Sequence, residues 1–131
     1  MVPKFTNMQV GEGKFAIEAQ VCATPRGIVA FAYSPKHAHV GATAQAIPRP
    51  EPGRTATVSL LAVPCHRDEA PAHDIAAALA TRFGMPAVAT AGLHVDDASP
   101  ADIERLLDTT RQLIDALEEK VADLLAGQMG A

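Results

Sequence analysis

Apolar and polar residues alternate with a period of two from residue 15 to 21, which is the pattern of a β-strand with one buried face. Three further segments, 28–33, 40–47 and 55–63, are rich in apolar and small residues, lie between turn signals and also predict strands. Turn residues at 24–27 favour a hairpin between the first two strands. Prolines 48, 50 and 52 require an exposed connection between the third and fourth, since proline cannot donate to a strand ladder.

The second half of the chain is dominated by helical periodicity. Residues 68–83 carry apolar side chains at helical spacing and end before Gly84 and Pro86, so we predict a helix there. Residues 87–95 predict a fifth strand. A second helix is expected to begin at Ser99-Pro100 and to continue to about residue 126, a length of ~40 Å at ~1.5 Å per residue. Because this length exceeds what is needed to cover a small sheet, we expect the far end of the helix to pack on a second subunit.

These elements predict one α+β domain over residues 1–131, with the order ββββαβα. The sheet should be mixed but mainly antiparallel, with both helices packed on one face. The first 13 residues carry little pattern, and we expect a loosely ordered arm or a short edge strand.

The composition narrows the class of protein. Hydrophobic residues make up 48% of the chain and charged ones 20%, with a formal charge of −4, as in ordinary globular domains. The Lys and Arg residues are scattered, so we expect no nucleic-acid footprint. The apolar runs are too short to span a membrane and the start of the chain lacks the features of a secretory signal, so we expect a cytoplasmic protein.

Candidate chemistry is concentrated in three short segments at predicted strand ends. They are 36–41, 64–69 and 91–97, and they hold four of the five histidines. A hairpin between the third and fourth strands, followed by a helical crossover to the fifth, brings all three segments to one edge of the sheet. Both helices also begin at that edge.

An edge of this kind suits an anion, and above all a phosphate, because helix N-termini offer free N–H groups and a positive dipole end. Lys36 and Arg67 would add positive charge. A second interpretation is a metal-dependent enzyme that uses His39, His66 and His94, although their spacing matches no tight metal signature. No sequence motif for nucleophilic catalysis is present.

The same three segments resemble the LpdD-like proteins, small accessory proteins of gallate-type decarboxylases described as prenylated flavin chaperones. The resemblance runs from about residue 28 to 114. The family's pattern falls on seven residues of this chain: His39, Gly41, His66, Asp68, Glu69, His94 and Asp97.

This resemblance implies a non-catalytic protein that binds prenylated FMN, or FMN itself. The cofactor would come from a UbiX-like flavin prenyltransferase and go to a UbiD-like decarboxylase, with the chaperone acting as a homodimer or a higher homo-oligomer. We expect no resident metal and no catalytic residue. Phe31 and Tyr33 are the aromatic residues best placed to stack on a flavin. A purely structural decarboxylase subunit is the third interpretation that the sequence leaves open.

Overall fold

The computed structural model describes residues 2–64 and 67–129. The described residues form six strands and two helices, which confirms the predicted α+β class. In chain order they are β1 (Lys4–Val10), β2 (Ile17–Thr24), β3 (Gly27–Tyr33), β4 (Ala42–Ile47), β5 (Thr57–Ala62), α1 (Glu69–Phe83), β6 (Ala87–Gly92) and α2 (Pro100–Met129). Within these residues no helix is both long and apolar enough to cross a membrane.

The strands form one mixed sheet in the order β1-β2-β3-β6-β4-β5. The predicted hairpins β2–β3 and β4–β5 are present, and β6 pairs parallel to β3 and antiparallel to β4. β5 and β6 therefore run in the same direction on either side of β4, as a helical crossover requires. The ends of β3, β5 and β6 and the start of β4 thus lie together at one side of the sheet, which we call the histidine edge.

Both helices cover the same face of the sheet, as predicted. The central strands present small side chains to them: Ala30, Ala32, Ala42, Ala44, Ala46, Ala87, Ala89 and Ala91 are all buried. Short side chains let α1 approach the sheet closely, and its own Ile75 and Leu79 fill the space between. α2 packs beside it over β1 and β2.

The apolar stripe of α2 is buried within a single chain, which corrects the expectation that its far end is left for a second subunit. Leu113, Leu117 and Val121 are fully buried, and Leu125 near the end of the helix is 7% exposed. The sheet is wide enough to use this length because the N-terminal residues extend it. They form β1, which pairs with β2 along its whole length. Of the two expectations for the N-terminal residues, the edge strand is therefore the one seen, and not the loosely ordered arm.

The fifth predicted strand ends earlier than expected. β6 stops at Gly92, and His94 lies on the surface beyond it. The reason is local, since the backbone N–H groups of Leu93 and His94 donate to the side chains of Asp68 and Ser34 instead of to a neighbouring strand. The predicted end of this strand at residue 95, with His94 inside it, was wrong for this reason.

Candidate functional site

The carboxylate of Asp68 joins the described parts of the three candidate segments. Asp68 is 2% exposed and precedes the first residue of α1. Its Oδ1 accepts the backbone N–H of Leu93 at 2.8 Å, and its Oδ2 lies 3.1 Å from Nε2 of His39. One buried acid therefore holds the start of α1 against the segments that follow β6 and precede β4.

Two glycines allow these segments to come so close. A Cβ at Gly41 would lie 1.7 Å from Oδ2 of Asp68, and a Cβ at Gly92 would lie 1.6 Å from the carbonyl oxygen of His39. Neither space can hold even a methyl group. These two positions need glycine for close approach and not for an unusual backbone angle.

His39 is held between two hydrogen-bond acceptors. Its Nδ1 lies 2.7 Å from the carbonyl oxygen of His37, and its Nε2 faces the Asp68 carboxylate. Both ring nitrogens of His39 therefore face oxygen atoms, which fixes the orientation of the ring. His39 and Asp68 lie together, partly buried, at the base of the site.

A second, more exposed layer lies above this base. The rings of His37 and His94 are 4.8 Å apart in an edge-on arrangement. Nε2 of His94 donates to Asp96 at 2.8 Å, and Nε2 of His37 lies 3.8 Å from the same carboxylate. The hydrogen bond from His94, supported by the charge of His37, lowers the pKa of Asp96 from its usual value.

Ser34 connects the loops that carry these histidines. It is 3% exposed, and its hydroxyl accepts the N–H of His94 at 2.9 Å. Its own N–H donates to the carbonyl of Gly92, and its carbonyl accepts the N–H of His37. The 34–37 and 93–96 loops are therefore fixed relative to one another by backbone hydrogen bonds.

These loops enclose a cavity of about 520 Å³, which we call the edge cavity. Four basic side chains line it: Lys14, Lys36, His37 and His94. Asp96 also lines it, with its carboxylate occupied by the two histidines. A volume of this size lies within the ~300–1,000 Å³ typical of small-molecule sites.

A smaller cavity of about 240 Å³ lies on the other side of His94 and Val95, between the starts of the two helices. We call it the apolar cavity, because Leu93, Ile103 and Leu107 are among the side chains that line it. Arg67 borders it and supplies a positive charge. The two cavities together present a basic compartment beside an apolar one.

The comparisons with known proteins identify the family of this chain. The family model of the prenylated flavin chaperone LpdD-like domain matches residues 11–122, which is most of the chain. This chain belongs to the LpdD-like family of prenylated flavin chaperones. A comparison with curated protein sequences gave no match.

Among solved structures, this LpdD-like chain is similar to one from a chaperone complex for yeast 20S proteasome assembly. The TM-score is 0.64, the sequence identity is 15%, and the alignment covers 92% of this chain and 99% of the other. At so low an identity, the similarity shows a shared fold alone.

The site residues predicted for this LpdD-like chaperone fall into two groups. His39, Gly41 and Asp68 form the base of the site, where they hold the segments together. Lys36 and His94 line the edge cavity, while Arg67 and His94 line the apolar cavity. Two more predicted residues lie close by: Glu69 is in the first turn of α1, and Asp97 is an exposed residue with a φ of 49°. His66 lies outside the described residues, as does its neighbour Cys65.

Sequence reasoning missed two residues of the edge cavity, Lys14 and His37. Lys14 lies in the connection between β1 and β2. The predicted topology assigned no definite element to the N-terminal residues, so it could not place Lys14 at the histidine edge. His37 lies in the candidate segment 36–41 but was assigned no role in the site. Its spacing of two residues from His39 was the available signal, because a turn at this point directs both rings towards the same edge.

Phe31 and Tyr33 do not line either cavity. Their rings pack on each other at 4.8 Å on the face of the sheet that the helices leave uncovered. The expectation that they would stack on a ligand at the histidine edge therefore has no support in the geometry. As for a metal, the described residues contain no group of three His, Cys, Asp or Glu side chains arranged to hold an ion.

Proposed function

We propose that this protein binds prenylated FMN in the edge cavity and passes it to a UbiD-like decarboxylase. The observation that carries the proposal is the position of the cavity. It is lined by His94, one of the family's motif residues, and its walls supply two lysines and two histidines. A UbiX-like prenyltransferase would supply the cofactor in the cytoplasm.

The donor set of the edge cavity fits the phosphate of a flavin mononucleotide. A phosphate monoester carries about −1.5 to −2 charges at neutral pH and accepts several hydrogen bonds. Lys36 would pair with it, as would Lys14, whose ammonium group also lies 3.4 Å from Asp102. His37 and His94, which face Asp96 through Nε2, line the same cavity beside the phosphate. Ser34 holds the backbone of the loops that carry these rings before the ligand arrives, which reduces the entropy cost of binding.

The apolar cavity fits the part of the ligand that distinguishes prenylated FMN from FMN. The prenyl group adds a hydrocarbon ring to the flavin, and hydrocarbon gains most from burial against aliphatic side chains. Ile103 and Leu107 line this cavity. His94 lines both the apolar cavity and the edge cavity, so the two are adjacent. We assign the added ring to this cavity.

The proposed role needs binding and release, with no bond made or broken by the protein. His39 and Asp68 would position the walls of the site. The histidines and lysines would hold the ligand, and they are exposed enough to let it leave. A dissociation constant of about 1 μM, equivalent to ~8 kcal/mol, would satisfy both needs.

Anaerobic titration with prenylated FMN and with FMN tests the proposal. Lys36→Gln should weaken the binding of both ligands by about ten-fold or more, because one charge-assisted hydrogen bond to the phosphate is lost. Lys120→Gln is the matched control, since this exposed lysine lies on α2 outside both cavities. Equal affinities in wild type and Lys36→Gln would contradict the phosphate assignment.

The apolar cavity has its own test. Ile103→Gln should weaken prenylated FMN by about five-fold or more and leave FMN nearly unchanged, because only the prenylated ligand places hydrocarbon there. If the variant weakens both ligands equally, the assignment of the added ring is wrong, although the phosphate site can still be correct.

A further inference from the structure

The face of the sheet opposite the helices, which we call the open face, carries large apolar side chains exposed to solvent. Phe5 on β1 is 74% exposed, Val29 on β3 is 54% exposed, and Leu61 on β5 is 80% exposed. They are distributed from one side of the sheet to the other. Several exposed apolar side chains that share one face of a protein mark an interaction surface more often than an isolated exposed residue does.

The open face is also almost free of charge. Among the residues that the six described strands direct to this face, Glu18 is the one with a formal charge. Charged residues make up 20% of the whole chain, so this face is depleted of them. Depletion of charge is the compositional mark of the core of a protein interface.

Several polar groups on the open face already have partners within the chain. The amide of Gln20 donates to the hydroxyl of Tyr33 at 3.2 Å. The hydroxyls of Thr43 and Thr90 are 3.0 Å apart and bond to each other. Because these groups keep a hydrogen bond when water is removed, covering the face costs less than covering unpaired polar groups.

We propose that the open face is the surface through which two copies of this chain form a dimer. Its size is adequate. Six strands about 4.8 Å apart, each of six to eight residues at ~3.3 Å, give a face of roughly 600 Å² before the relief of the side chains is counted. Stable interfaces bury ~800 Å² from each partner.

The shape of the open face favours a second copy over a different protein. A groove of about 610 Å³ lies on the β1–β3 side, bordered by Phe5, Cys22 and Val29. The exposed Leu61 lies at the opposite side, on β5. A two-fold axis parallel to the strands places β5 of one copy over β1 and β2 of the other, so Leu61 meets the groove twice. An uncharged surface also offers a charged partner nothing to pair with.

Sedimentation velocity and light scattering test this dimer. The wild-type protein should have twice the 13.7 kDa mass of one chain at micromolar concentration. Val29→Glu/Leu61→Glu should have the mass of one chain, with a dissociation constant raised at least about hundred-fold, because four carboxylates would be buried without partners. Leu60→Glu is the control for the Leu61 position, because it adds one carboxylate to the same strand on the helix-covered face, and it should remain dimeric.

Labelling of Cys22 gives a second measurement that does not depend on how well the variant folds. In a Cys65→Ser background it is the remaining cysteine of the two in the chain. Its reaction with a maleimide should slow as the protein concentration rises, since dimerisation covers the open face. A monomeric wild-type protein, a dimer that survives both glutamates, or labelling that is independent of concentration would each overturn the proposal.

Discussion

Replacing Asp68 with alanine is expected to destabilise the protein by about 3 kcal/mol. The carboxylate makes two hydrogen bonds, one to the N–H of Leu93 and one to His39, and it is 2% exposed. Hydrogen bonds to a charged group contribute ~1.5–3 kcal/mol each. Part of this is offset because the variant no longer buries a charge.

Asp68→Asn should be milder, at about 1–2 kcal/mol. The amide oxygen can still accept from Leu93, and the amide N–H group then faces Nε2 of His39, which accepts a hydrogen bond in one of the two ring tautomers. Asp74→Ala is the control, because Asp74 lies exposed on the same helix beside His73 and should change stability by less than ~0.5 kcal/mol.

Urea denaturation followed by far-ultraviolet circular dichroism measures these changes, since the chain contains no tryptophan. Asp68→Ala should also lower the melting temperature by roughly 10 °C. The reasoning would be refuted if Asp68→Ala cost less than ~1 kcal/mol, or if its cost equalled that of Asp74→Ala.

Further predictions concern the close approach at the site base and the start of α2. Gly41→Ala should destabilise the folded protein strongly. Combining it with Asp68→Ala should recover part of the lost stability, because the new methyl group then occupies the space that the carboxylate has vacated. A double-mutant cycle measures this coupling. Gly92→Ala should not be rescued by Asp68→Ala, since its methyl meets backbone, and equal rescue of both glycine variants would contradict this account. At α2, the N–H of Ser99 donates to Asp102 and lowers its pKa from about 3.8, so Asp102 stabilises the fold above that pH and loses the effect as pH falls below it. Thermal melts of wild type and Asp102→Asn should therefore differ near pH 6 and converge as the pH falls from 3.8 through the lowered pKa of Asp102, and a constant difference would refute the linkage.

Most of the sheet was predictable because short apolar runs between turn residues are typical of strands. Residues 28–33 and 87–91 are such runs, and in the structure they alternate between buried and more exposed positions. The convergence of the histidine segments followed from the hairpin and the crossover alone. β1 was harder to predict because it is an edge strand with polar residues on both faces. Because the predicted sheet did not include β1, it was too narrow to account for the length of α2.

The base of the site shows what a single sequence cannot give. Asp68 lies in a polar run and looks like an exposed residue at a helix start, yet it is the buried link between three segments. Its burial depends on Gly41 and Leu93, which are distant in sequence. Tertiary hydrogen bonds of this kind leave no local pattern.

Anaerobic co-expression with a UbiX-like prenyltransferase, followed by native mass spectrometry, tests the central claim most directly. The wild-type protein is expected to carry a ligand with the mass of prenylated FMN. Lys14→Gln/Lys36→Gln should lose this ligand, and Lys120→Gln should retain it. A ligand-free wild-type protein, purified from cells shown to contain the cofactor, would contradict the account.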